Sequence, residues 1–138
     1  MKWLYRHLHK KEKGFTLVEL MVVIIILAVL TGIAIPSYLS LRNRARIQAT
    51  RAEMQNIGTA IAIYEADMGA YPATTVAALI TALESDDSSG TGAYMANVPT
   101  EDAWAAAYTY VLASGSYTLT STGATPDIVM VDGVFSDE

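Results

Sequence analysis

One run of residues limits what this chain can fold into more than anything else in it: FTLVELMVVIIILAVLTGIAI, Phe15 to Ile35. Its 21 residues carry one charge, Glu19. Coiled as a helix the run is roughly 30 Å long, the thickness of a bilayer's hydrocarbon core. About a hundred residues are left to build a separate core, enough for one modest globular unit. Lys2, Arg6, Lys10, Lys11 and Lys13 precede the run, which places residues 1–14 on the cytoplasmic side of a membrane. A conventional secretory signal is the alternative, but its apolar core spans about 7–15 residues and a small-residue cleavage site follows it. Here only Gly32 and Ala34 offer such a site, and Gly14 stands ahead of the run.

Beyond Ile35 the helical pattern continues to Met68. Pro36 lacks an amide hydrogen and crowds the preceding turn, so a kink or loosened turn is expected from Gly32 to Pro36, without chain reversal. From Ser37 the helix turns amphipathic, with Ala49, Ala52, Ile57, Ala60, Ile61, Tyr64 and Met68 at three- and four-residue spacings. A helix of about 50 residues would be roughly 75 Å long, a stalk. MGAYP, Met68 to Pro72, ends it. Thr75 is placed to cap a short helix, VAALITALE, with Val76, Leu79, Ile80 and Leu83 on one stripe. A polar loop from Ser85 to Gly92 follows. Then the period changes to that of strands at Ala107 to Leu112, Tyr117 to Thr122 and Ile128 to Val131, with ASGS as a hairpin turn. The expected fold is α+β: a long N-terminal helix, half membrane and half amphipathic, packed on a small antiparallel sheet. The expected divisions are 1–14, 15–36, 37–68 and a head at 69–138.

Net charge is −5, but its distribution carries more information. Arg42, Arg44, Arg46 and Arg51 follow the apolar run, and after Arg51 there is no Lys or Arg among twelve acids. Such a head repels nucleic acid, whose binding rests on basic contacts to phosphate. There is no cysteine, which excludes disulfides, thiol nucleophiles and Cys-based metal sites. The only histidines are His7 and His9, and no nucleophile–base pair or phosphate loop is present, so catalysis is not expected. Trp104, Tyr108, Tyr110 and Tyr117 read as core and cross-strand packing.

The block KGFTLVELMVVIIILAVLTGIAIPSYL, with its basic leader, Gly14, Phe15, Glu19 and Pro36 in order, resembles the type IV pilin-like family over about a fifth of the chain. NIGTAIAIYEADMGAYP, VPTEDAWAAAYTYV and YTLTSTG are similar to one branch of it, the major pseudopilins of type II secretion systems. That branch's usual D-P-W-G-N run stands here as Glu101-Asp102-Ala103-Trp104-Ala105, without the proline and glycine, and its acidic calcium loop is shorter. The resemblance implies the pilin fold and a subunit that assembles into a periplasmic filament driving protein export. It further implies a homo-oligomer that meets a prepilin peptidase, an inner-membrane assembly platform, minor pseudopilins and, before assembly, membrane lipid. A type IV pilin serving adhesion, motility or DNA uptake is the neighbouring reading. A single-pass anchored domain that never polymerises is the reading from another class.

Residue by residue, the resemblance makes Gly14–Phe15 the bond cut by the peptidase and Phe15 the N-methylated residue. Glu19 is the costly one, since an acid inside a membrane helix needs a partner or a function. Either it sits near the interface, or it neutralises the new Phe15 amine of a neighbouring subunit and sets the register of assembly. Thr16 and Pro36 support that helix. Arg42, Arg44, Arg46 and Arg51 are either a solvated, lipid-contacting face or partners for acids of a neighbouring subunit. Asp127 and Asp132 are either solvated turn residues or, as the resemblance implies, ligands of a calcium ion.

Overall fold

A computed structural model describes residues 14–87, 90 and 92–136. The basic leader ahead of Gly14, with His7 and His9, lies outside the described residues. The chain divides into two compact units, Met1–Leu41 and Arg42–Glu138, and helix α1, Leu17–Met68, contributes to both.

In the first unit, α1 opens at Thr16, whose carbonyl accepts the first helical hydrogen bond from the Leu20 amide at 3.2 Å. Helix is the conformation an apolar segment needs out of water, because it satisfies its own amides and carbonyls. The helical assignment runs unbroken through Pro36. Around that position the Ser37 hydroxyl donates to the Ile33 carbonyl at 3.3 Å, and Thr31 donates to Leu27 at 2.7 Å. Both are i to i−4 back-bonds, and the carbonyl that loses its amide partner to Pro36 is that of Gly32. Every residue of the helix up to Leu41 is exposed, with Leu17 75% and Ile33 69% accessible. An apolar surface this continuous is stable only against lipid or protein.

The second unit has its own core. Thr50, Met54, Ile57, Gly58, Ala60 and Ile61 are the buried residues of α1 and recur at helical spacing. Gly69 ends the helix at φ +74, a left-handed conformation that glycine adopts at little cost, with its amide bonded to the Glu65 carbonyl at 2.8 Å. Helix α2, Val76–Leu83, begins where expected: the Thr75 hydroxyl accepts from the Ala78 amide at 3.0 Å. Leu79 and Leu83 point into the core, and Glu84 caps the end.

Four strands follow, β1 Thr109–Ala113, β2 Ser116–Ser121, β3 Ile128–Val131 and β4 Val134–Phe135, in one antiparallel sheet of that order. Tyr110 pairs with Leu119 and Leu119 with Met130, so three buried side chains form one row across the inner face. Each large apolar side chain buried there contributes about 1.5–3 kcal/mol. Two-residue turns at Ser114-Gly115 and Asp132-Gly133, all four residues at positive φ, close the first and last hairpins. Positive φ at both positions matches the twist of paired strands. The first strand starts two residues later than its sequence pattern, because Ala107 makes an isolated bridge with Glu101 at the end of a tight loop. The edge of β1 is covered: Thr74 donates to the Leu112 carbonyl at 3.2 Å, and the Tyr108 amide to the Thr100 carbonyl at 3.1 Å.

Candidate functional site

Glu19 has a partner inside its own chain. Its Oε2 accepts from the Thr16 amide and from the Thr16 hydroxyl, both at 2.9 Å, while the Glu19 amide donates to Thr16 Oγ1 at 3.2 Å. This is a capping box, in which a threonine at the N-cap and a glutamate three residues on satisfy each other's orphan donors. Thr16 is thus the residue that binds Glu19, a larger part than the sequence pattern assigned to it. The signal was legible as T-x-x-E directly ahead of an apolar run. Oε1 of Glu19 takes no hydrogen bond among the described residues and stays open. Gly14 and Phe15 lie just ahead of the helix, both exposed, Phe15 at 87%. Gly14, Phe15, Thr16 and Glu19 together line one shallow concavity.

The four arginines of the helix do not behave alike. The Arg46 guanidinium lies 5.9 Å from the centre of the Trp104 ring, and that of Arg51 lies 5.3 Å from the Phe135 ring. Both are cation–π contacts within the chain's own head. Arg42 and Arg44 are exposed.

A buried carboxylate that sequence reasoning treated only as part of a motif organises the head. Asp102, 6% accessible, accepts from Ser121 Oγ at 2.6 Å and from the amides of Trp104 at 2.8 Å and of Ala106 and Gly123 at 3.0 Å. Burial alone would raise its pKa, but the Ser121 hydroxyl and the three amides outweigh it and hold the carboxyl below its ordinary 3.8. Ala103 donates to Thr50 at 3.3 Å, so the Asp102 loop is bonded both to α1 and to the end of β2. Ala105 takes φ +62 at the place where the branch's motif has glycine. Tyr108 adds a second link, donating to Glu53 at 2.9 Å; burial and then that carboxylate push its hydroxyl pKa up.

Asp132 is a turn residue. Its carboxylate accepts from the Tyr117 amide at 2.9 Å and from Ser116 Oγ at 2.8 Å, tying the β3–β4 turn to the start of β2. Asp127 is exposed in the preceding loop. A calcium ion takes six to eight oxygens. Among the described residues no three acids or histidines are grouped, so an ion at Asp127 and Asp132 would draw most of its oxygens from backbone carbonyls and water.

The family comparisons match these two parts of the molecule. A model of the prokaryotic N-terminal methylation motif matches residues 9–35, and a model of type II secretion system protein G matches residues 37–128, more than half of the chain. The chain belongs to the type II secretion system protein G family. Type II secretion system core protein G of Klebsiella pneumoniae is 30% identical over 104 residues, covering 72% of this chain and 74% of that protein. The protein of the same name from Vibrio cholerae is 30% identical over 106 residues, 74% of this chain and 72% of its own. That of Pseudomonas aeruginosa is 34% identical over 65 residues, and there the match spans about half of each chain, 47% and 46%. Protein G relatives are pseudopilins, structural components of a secretion system. The methylation motif implies processing by a prepilin peptidase, and the apolar helix fits membrane anchoring.

Proposed function

We propose that this chain is the subunit of a periplasmic pseudopilus, made as a single-pass inner-membrane precursor with its head outside the cytoplasm. A prepilin peptidase hydrolyses the Gly14–Phe15 bond, and the new Phe15 amine is N-methylated and stays cationic. Glu19 then serves two purposes with two oxygens. Oε2 keeps the capping box with Thr16, and Oε1 is free to accept the Phe15 ammonium of a neighbouring subunit. An assembly platform, with minor pseudopilins, draws such subunits out of lipid, and the growing filament pushes exported proteins. The subunit does no chemistry itself; it is the substrate of the peptidase.

The observation that carries this reading is the one-sided engagement of Glu19 beside an exposed Gly14–Phe15 junction. The capping box occupies one carboxylate oxygen, which leaves Oε1 for a second, charged partner at the edge of the apolar segment. Two measurements test it together. Mass analysis of the mature N-terminus is expected to give a methylated Phe15, and an intact leader or a start near Pro36 would end the reading. Glu19→Ala is expected to be cleaved and membrane-inserted like the parent yet to form few filaments.

A further inference from the structure

The four arginines after the apolar run divide by what they touch. Measured around α1, Arg42 shares a flank with Arg46, one helical turn away, and Arg44 shares the opposite flank with Arg51, two turns away. The member of each pair nearer the head is spent on that head, Arg46 over Trp104 and Arg51 over Phe135. The members farther from it, Arg42 and Arg44, are exposed, and neither makes a hydrogen bond or ion pair among the described residues.

The same chain carries the complementary surface. Beyond Arg51 it has twelve acids and no base. Several of those acids are engaged locally: Asp102 in its loop, Glu53 by Tyr108, Glu84 by the Val98 amide at 2.9 Å, and Asp132 in its turn. Asp86, Glu101 and Asp127 are exposed, and none of the three makes a side-chain hydrogen bond or ion pair among the described residues.

We propose that Arg42 and Arg44 are an interaction surface for a second copy of this chain, receiving the exposed carboxylates of its head, while Arg46 and Arg51 fasten each head to its own helix. The inference rests on the filament reading and names the contact that would hold neighbouring heads. Charge complementarity chooses the occupant, since a head with no base of its own offers acids to any arginine placed beside it. Opposite flanks suit it too, because a helix surrounded by copies meets one on each side. Anionic lipid is the rival partner, and the vesicle-binding arm of the test separates the two.

The test uses the full-length chain in membranes. Arg42→Glu with Arg44→Glu is expected to lower filament yield about tenfold or more, with leader cleavage and the thermal midpoint of the head unchanged. Adding Glu101→Arg and Asp127→Arg to that variant is expected to restore most of the yield. Arg46→Ala and Arg51→Ala are expected to lower the thermal midpoint instead. Filament yield within about twofold of the parent in the double-glutamate variant overturns the proposal. So does a loss of yield that follows lost binding to vesicles of anionic lipid and is not restored by the acid-to-arginine changes. If the parent chain itself forms no filaments, the filament reading fails; if the parent assembles and the charge variants assemble equally well, only this contact fails.

Discussion

Asp102 shows how much of the head hangs on one side chain. Its four hydrogen bonds join a loop to the end of β2, and the same loop is bonded to α1 through Ala103 and Thr50. Replacing it by alanine strands a hydroxyl and three amides, so Asp102→Ala is expected to destabilise the head by about 3 kcal/mol in denaturant melts. The pH dependence follows from the direction of its shift. A carboxyl held below 3.8 when folded stabilises at pH above that unfolded value, and the contribution fades as pH falls through the lower folded value. Acid titration of the head is therefore expected to show a stability loss below about pH 4 that Asp102→Asn abolishes. Ala105 points the other way. At φ +62 its Cβ costs roughly 1 kcal/mol, so Ala105→Gly is expected to raise stability by about that much. Gly123 is the position where no side chain fits, since a Cβ there would overlap the Asp102 carboxylate.

Among the elements, the helices are held at their ends and the sheet by its turns. Thr75→Ala is expected to cost about 1 kcal/mol in thermal melts, because it removes the N-cap acceptor of α2. Thr16→Ala is expected to speed hydrogen exchange of the first-turn amides of α1 in micelles, as the capping box opens. Where α1 crosses the sheet, Gly58 lets them approach: a Cβ there would lie 2.9 Å from Met130 Cε and 3.1 Å from the Tyr117 hydroxyl. A larger residue must push the helix off the sheet, so Gly58→Leu is expected to lower stability by about 1–3 kcal/mol. Most of these elements were legible beforehand. Thr75, Gly69 and the ASGS turn announce themselves locally, through caps and positive φ. The strand β4 was not, because two residues carry no period; it exists only through pairing of Val134 with Val131 and Phe135 with Met130.

For the molecule as a whole, the division after Leu41 separates two kinds of stability. Arg42–Glu138 has a buried core of its own, with Met54, Ile57 and Ile61 of the helix set against Leu79, Leu83, Leu119 and Met130. Residues 42–138 alone are expected to fold cooperatively and stay soluble, as judged by circular dichroism melts and sedimentation. The preceding segment buries none of its described residues, so its free energy depends on lipid or on other copies. An exposed apolar half and a head with its own core, sharing one helix, suit the proposed subunit, which would exchange lipid for protein contacts without unfolding.

What the amino-acid order determines by itself is everything short-range or periodic. The apolar length of Phe15 to Ile35, the Gly14–Phe15 junction, the T-x-x-E cap and the amphipathic stripe leading to Tyr64 are all statements about neighbours within a turn or two. The tertiary structure alone decides which charges are spent. Nothing local distinguishes Arg46 and Arg51 from Arg42 and Arg44, or Asp102 from the eleven other acids after Arg51. Trp104 and Phe135 lie more than fifty residues along the chain from the arginines over them, and Ser121 and Gly123 about twenty from Asp102. Burial and partnership at that separation come from folding the sheet back onto the helix, because the energy of a charge depends on what surrounds it and not on its position in the chain.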